Sequence, residues 1–503
     1  MTIATRPGPI SDAVRRFLAT QNRPMLIGER WVGAASGEVL PSYDPARGDL
    51  LANVPAGAAA DVDLAVAAAR AALRDGRWTG LTPSERARVL WRVADLIEAH
   101  IDELAELETL DQGKPLFVGR WAEIPGAVEQ FRYFSAQCTK IEGSTIPSSI
   151  NYQPEGKRIF AYTQKEPVGV VGAIVPWNSP LVLTAMNLAP ALAAGCSVVL
   201  KPAENTSLTA LRLGELVLEA GLPPGVLNIV TGYGADAGAA LAAHGDVDKI
   251  SFTGSTATGR AIIDAAKGNL KKVSLELGGK SPVIVCADAD LDAAIPGAAN
   301  AIFFNAGQVC VAGSRLYVHR SIFDRVVEGV AEAARGIELG HGLIESTQMG
   351  PLVSNVQAER VAGYLERAGA AGATLVTGGG RPDPAGAFIE PTVVADVSSD
   401  MEIVREEVFG PVIVCAPFDS IEDVAELANV TDYGLAASIW TESLSLAHRL
   451  ASDVQAGTVW INCHAMYDAS LPIGGVKQSG WSRLSGQQAV DNFLNTKTVC
   501  AVL

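Results

Sequence analysis

At 503 residues the chain is longer than one hydrophobic core usually organises, so two or three domains are expected. A hydrophobic share of 48% beside 19% charged residues excludes a disordered or fibrous chain. The formal charge of −16 excludes nucleic acid and anionic membrane as partners, because both attract cations.

No N-terminal stretch has the charged, apolar, small-residue order of a signal peptide, which predicts a cytoplasmic protein. The first part reads as helical. Thr82-Pro-Ser-Glu85 supplies a cap, a proline at the first helical position and a glutamate three residues after the cap. Val89, Leu90, Val93, Leu96 and Ile97 then recur at helical spacing and predict one buried stripe. From about Gly143 to Glu166 the chain is polar and β-tending, which predicts an extended arm outside the core.

Strand–helix alternation begins at Val168. Apolar, β-branched runs at Val168–Val175, Ser197–Leu200, Val226–Val230, Lys249–Phe252 and Val273–Leu277 are separated by helical segments such as Leu208–Ala220 and Gly259–Lys267. This is the pattern of a parallel sheet with helices on both faces. The window Ser179–Leu200 carries no charge over 22 positions and is long enough to span a bilayer. Pro180, Asn187, Pro190 and Gly195 interrupt it, so a buried helix followed by a buried strand is expected. A second α/β block starts near Ser281 and runs to about Lys477; Asn495–Leu503 reads as a last strand.

Seven cysteines include no CxxC pair, which points to reduced thiols and to neither disulfides nor a metal site. Cys286 and Cys415 end Val-Ile-Val-Cys runs that read as strands, where a thiol is a small hydrophobe. A doubly wound sheet places a nucleotide at the carboxyl ends of its strands. The usual GxGxxG is missing after the first strand, and Gly254-Ser-Thr-Ala-Thr-Gly259 follows a later one.

Pro176-Trp-Asn-Ser-Pro180, Lys201-Pro-Ala-Glu204, Phe252-Thr-Gly-Ser255, Glu276-Leu-Gly-Gly-Lys280, Gly307-Gln-Val-Cys310 and Glu407-Val-Phe-Gly-Pro411 occur in that order. With these motifs the chain resembles the aldehyde dehydrogenase superfamily over nearly its whole length. The resemblance implies an α/β fold with a doubly wound NAD-binding domain (1–142 and 167–278) and an α/β catalytic domain (279–478). It also implies a small β oligomerisation arm (143–166 and 487–503), hence a homo-oligomer such as a homotetramer or dimer.

Cys310 follows a Gly-Gln-Val turn beyond the apolar helix Ala298–Phe304 and is the expected nucleophile. A thiol of ordinary acidity is only a few per cent ionised at neutral pH, yet intrinsically nucleophilic. Its attack on an aldehyde gives a thiohemiacetal whose hydride can leave to nicotinamide. Glu276, at a strand end before two glycines, is the expected base for the water that hydrolyses the resulting thioester. The resemblance pairs the Asn178 amide with the Cys310 backbone N–H as an oxyanion hole.

For the cofactor, Lys201 and Glu204 stand where a ribose lies, and an acid there favours NAD over NADP. Ser255, with Gly254, opens a helix that can face pyrophosphate. Glu407, with Phe409 beside it, resembles the ligand of the nicotinamide ribose; Trp177 and Gly278 complete the expected cofactor set. The resemblance places Ser179, Val182, Leu183 and Met186 along an entry tunnel, with Val309, Val311, His464, Tyr467 and Ile473 around its inner end. Relatives for small aldehydes carry bulky aromatics at some of these positions, so a wider mouth for a bulky hydrophobic aldehyde is expected. Trp460-Ile-Asn-Cys-His464 and Gly474-Gly-Val-Lys-Gln-Ser-Gly480 most resemble bacterial phenylacetaldehyde dehydrogenases. The competing readings are a CoA-acylating enzyme, a semialdehyde or betaine-aldehyde dehydrogenase, and a non-catalytic scaffold with this fold.

Overall fold

A computed structural model describes residues 8–149, 155–383 and 385–503. Two seven-stranded sheets organise it. In the first the strand order is Lys272–Glu276, Lys249–Thr253, Val170–Ile174, Ser197–Lys201, Leu227–Ile229, Met25–Ile27 and Arg30–Val32. The first five are parallel and the last two antiparallel. The chain enters at Val170–Ile174, builds to one side, then returns to build on the other. The order therefore reverses between Val170–Ile174 and Lys249–Thr253, which opens a crevice at their carboxyl ends.

All five residues of Val170–Ile174 are buried, as expected of a strand covered by helices on both faces. The strand is shorter than the run Val168–Val175 suggests. Gly169, at φ 127°, turns the chain where a Cβ would lie 2.0 Å from the Asp248 carboxylate, so the arm strand ends before it. Helix Pro83–Ala99 begins with the expected capping box, Thr82 Oγ1 accepting from the Glu85 N–H at 3.3 Å and Glu85 Oε2 from the Thr82 N–H at 2.8 Å. Val89, Leu90, Val93 and Ile97 are buried, and Leu96 packs at the margin of the same core.

The uncharged window is a buried helix, Pro180–Ala194, followed by the buried strand Ser197–Lys201. Ser179 does not cap this helix; the fully buried Glu108 does, its Oε2 accepting from the Leu181 N–H at 3.2 Å. Three residues on, Asp111 Oδ2 accepts from the Leu208 N–H that opens the next helix, Leu208–Glu219, also at 3.2 Å. One helix, Ile101–Gln112, thus carries the carboxyl caps of two others, and buried Lys114 bonds Glu108 at 2.6 Å. No helix among the described residues is long and apolar enough to cross a membrane.

The second sheet runs Thr374–Thr377, Thr392–Ala395, Val412–Phe418, Arg315–His319, Pro282–Val285, Ala436–Trp440 and Thr458–Ile461, parallel except at its first strand. A third, antiparallel sheet pairs Ile159–Pro167 with Leu494–Val502 and Thr145–Ile146. Residues 150–154 of the expected arm lie outside the described residues. All seven cysteines are free, and no group among the described residues could hold a metal ion.

Candidate active site

The loops at the switch point carry the expected cofactor residues. Trp177 follows the first strand and meets Phe409 edge-on, ring centroids 5.2 Å apart. Lys201 ends the neighbouring strand and is buried; its Nζ donates to Glu204 Oε2 at 3.0 Å, while Glu204 keeps 38% of its side chain exposed. The ammonium is therefore engaged and the carboxylate open to a ribose. Ser255 caps helix Thr256–Ala266, its hydroxyl accepting from the Thr258 N–H at 3.2 Å. That hydroxyl is committed to the helix, so an anion beside Gly254 would meet the first-turn N–H groups instead.

Glu407 lies on the loop between helix Glu402–Arg405 and strand Val412–Phe418. Its Oε1 accepts from the Gly279 N–H at 3.0 Å. At Gly278 a Cβ would lie 2.2 Å from Glu407 Oε2, so only glycine admits the carboxylate. Burial pushes the Glu407 carboxyl up to about 7.

Cys310 sits on a backbone that few residues tolerate. Helix Leu291–Phe303 ends, and Asn305, Ala306 and Gly307 follow with φ of 49°, 53° and 69°. This left-handed run is strained for Asn and Ala, and at Gly307 a Cβ would lie 2.0 Å from the Gly410 carbonyl. Side chains lock the loop: Asn178 Nδ2 donates to the Gln308 carbonyl at 2.9 Å, and Asn305 Nδ2 donates to the Asn178 carbonyl at 3.0 Å. Asn178 thus stands beside the Cys310 loop with one of its two amide hydrogens used there.

The thiol departs from the ordinary acidity assumed from sequence. Burial, then the Glu407 and Glu276 carboxylates, push Cys310 up to about 12, so it is protonated at rest. Cys286 and Cys415 are raised as far, so acidity does not single Cys310 out. Position does: those two are buried, whereas Cys310 is half-buried on the loop.

Glu276 ends its strand with 7% exposure, and burial pushes it up to about 8. The Ser482 hydroxyl donates to its Oε1 at 2.9 Å. Ser482 lies two residues past the Gly474–Gly480 motif, and nothing in its sequence setting marks it.

Around Cys310, the residues Val309, Val311, Ile473 and Cys463 gather on Trp460 in one apolar cluster. Tyr467 meets Trp460 edge-on at 6.1 Å and is 55% exposed, so it stands at the outer side of this cluster. His464 is committed elsewhere: Nε2 contacts the Val311 carbonyl at 3.0 Å and Nδ1 the Ser438 hydroxyl at 3.1 Å. Burial pushes it down to about 4, so it is a neutral brace for the loop after Cys310. On the helix side, Val182 faces Gly126, Leu183 is half-buried and Met186 is 8% exposed. Ser179 corrects the wholly apolar picture: its hydroxyl donates to Glu123 Oε1 at 2.9 Å, and Lys114 Nζ lies 3.2 Å from the same oxygen. Glu123, on the turn Gly119–Glu123, gives no sign of this place from sequence.

The Aldehyde dehydrogenase family model matches residues 31–499. A phenylacetaldehyde dehydrogenase of Pseudomonas fluorescens is 50% identical over 477 residues, 94% of this chain and 95% of that protein. Among solved structures, an NAD+ complex of aldehyde dehydrogenase from Bacillus cereus superposes with a TM-score of 0.96 at 46% identity, covering 99% of each chain. A betaine aldehyde dehydrogenase from Staphylococcus aureus, in complex with NAD+, gives 0.94 at 38%, covering 98% and 97%.

Proposed function

The chain belongs to the aldehyde dehydrogenase family, and we propose that it oxidises a bulky, hydrophobic, arylacetaldehyde-like aldehyde to the carboxylic acid through a thioester on Cys310. It is an oxidoreductase that uses NAD, which accepts the hydride from the substrate carbon. Trp177, Phe409, Glu204, Glu407 and the first turn after Gly254 and Ser255 would hold the cofactor. The gap at Gly278, filled from one side by Glu407, suits a ring laid close to backbone.

The observation that carries the mechanism is the meeting of three groups from separate elements. Asn178 is hydrogen-bonded two residues from Cys310, and Glu276 lies close enough for its charge to act on the thiol. Because the thiol is held neutral, attack requires its proton to leave, through water to solvent. Sγ then bonds to the carbonyl carbon, and the oxygen gathers negative charge against the free Asn178 N–H and the Cys310 backbone N–H. Once the hydride has left, the thioester remains. Glu276, its proton released, takes one from water; the hydroxide adds to the thioester, and the C–S bond breaks to give the acid and Cys310.

The 50% identical phenylacetaldehyde dehydrogenase and the cluster of Val309, Val311 and Ile473 support the apolar substrate. A cationic aldehyde is the second reading, raised by the buried carboxylate of Glu123 beside Ser179. Lys114 already neutralises that carboxylate, which favours the apolar reading. We further assign 1–142 with 167–278 to cofactor binding, 279–478 to catalysis, and 143–166 with 487–503 to oligomerisation. The exposed Phe160 and Val502 on the arm support the last.

An aldehyde panel followed by NADH absorbance tests the substrate. Phenylacetaldehyde should exceed acetaldehyde and betaine aldehyde in kcat/KM; the reverse order overturns it. Free acid as product with CoA present separates hydrolysis from acyl transfer to CoA.

A further inference from the structure

Glu276 does not hold its own orientation. We propose that Ser482 is the positioning residue of the base, its hydroxyl fixing the Glu276 carboxylate from a loop that also forms one wall of the aldehyde tunnel. The inference rests on the assignment of Glu276 as the base.

The loop Ile473–Leu484 is closed at its ends by two backbone bonds between those residues, at 2.8 and 2.7 Å. Ile473 faces the Cys310 cluster, and nine residues later Ser482 faces Glu276. Arg483 braces the interior, donating to the carbonyls of Gly475 at 2.8 Å and Ser482 at 2.7 Å. Leu277 N–H donates to Ser479 at 2.9 Å and Trp481 N–H to Leu275 at 3.3 Å, so the loop lies along the strand that ends in Glu276. At Gly474 a Cβ would come within 2.8 Å of Glu276 Oε1 and 2.3 Å of the Ser482 carbonyl. The carboxylate therefore occupies a slot cut by glycine on one side and bounded by the serine on the other.

Ser482 is the only side chain hydrogen-bonded to Glu276 among the described residues. Its hydroxyl also has the Leu275 carbonyl at 3.4 Å. A hydroxyl rotates. Against the anion it donates to Oε1; against the protonated acid it can turn to Leu275 and accept the carboxyl proton. One side chain thus serves the base before and after it takes its proton, without moving the loop. The charged and titratable groups that face Glu276 are Arg483 from the loop and the Cys310 thiol from across the site, with Glu407 beyond that thiol. Burial raises Glu276, while Ser482, Arg483 and the Gly475 N–H each favour its ionised form.

The test compares wild type, Ser482→Ala, Ser482→Thr and Glu276→Gln with phenylacetaldehyde and NAD. Burst-phase NADH reads hydride transfer and steady-state NADH reads hydrolysis, each across pH. Loss of the donor should shift the pH limb of hydrolysis upward by roughly one unit, with roughly tenfold slower turnover below the limb. The burst rate constant at high pH and the KM for NAD should stay within about twofold. Ser482→Thr keeps a hydroxyl and should keep the limb in place. A fall of equal factor at every pH, or equal damage from Thr and Ala, overturns the proposal. If the alanine variant does not fold, Ser482→Cys, of similar shape with a weaker donor, should show the same upward shift, and an unmoved limb there overturns the proposal equally. Undiminished steady-state turnover in Glu276→Gln instead removes the base assignment itself. A slow Glu276→Gln with an unshifted Ser482→Ala limb removes only the role of Ser482.

Discussion

Replacing Glu276 by Gln separates the chemistry of the carboxylate from the energetic penalty of burying it. Glu276 is 7% exposed and ionises at about 8, against an ordinary value of 4.5. Between those values the folded protein binds the proton more tightly than the unfolded chain does. Stability contributed by the protonated acid is therefore complete below about pH 4.5 and declines as pH rises towards about 8. At pH 7 roughly 2.5 units of that window have been crossed, which at about 1.4 kcal/mol per unit is a loss of ~3 kcal/mol. Gln keeps the shape and never ionises, so Glu276→Gln should be more stable than wild type by that order at pH 7 and nearly equal to it near pH 4.5. Urea midpoints of the two apo proteins across this range measure the difference. In the same variant, phenylacetaldehyde should give a burst of about one NADH per site and then slow turnover, because an amide cannot take the water's proton. A stability difference that does not change with pH, or a less stable variant at pH 7, would refute the reasoning. The expected pair of results, a firmer fold and a slower enzyme, separates a catalytic penalty from general damage.

Cys310→Ala should abolish NADH formation while calorimetry shows NAD binding nearly unchanged; substantial turnover in the folded variant would remove the nucleophile assignment. Glu204→Ala should weaken NAD and improve NADP, since it removes an acid and frees Lys201 for a 2′-phosphate; kcat/KM for both cofactors checks this, and a wild-type preference for NADP would contradict it. Ser179→Phe should lower kcat/KM for phenylacetaldehyde by roughly tenfold or more while sparing acetaldehyde. Equal losses on both substrates would place Ser179 away from the tunnel.

The fold was legible where pattern and burial coincide. The strands of the first sheet are apolar because helices cover both faces, and Thr82 with Glu85 marks a helix start by chemistry that depends on no distant residue. Boundaries were less legible where one contact decides them, as at Gly169, whose turn is set by Asp248, 79 positions away. Cys310 and Asn178 stood out through their motifs, and the geometry brings them together. The environments that govern them did not. The acidity of Cys310 depends on burial and on Glu276 and Glu407, which come from other strands and loops. Ser482 and Glu123 escaped notice for the same reason: each matters through one partner far away in sequence, and a serine or a glutamate in a turn has many ordinary explanations.

The crossed bonds between Asn178, Gln308 and Asn305 join a loop of the first sheet to a loop of the second. The buried residues of the two sheets fall into separate hydrophobic clusters. The bonds Asn178 Nδ2 to the Gln308 carbonyl and Asn305 Nδ2 to the Asn178 carbonyl are polar and local, and the opening free energy of this junction should lie below that of global unfolding. Aldehyde turnover requires the junction closed, whereas secondary structure does not. Mild denaturant should then silence the enzyme before circular dichroism changes, and amide exchange should quicken along residues 305–310 before it quickens in the buried strands. Inactivation would record the parting of two lobes that are each still folded.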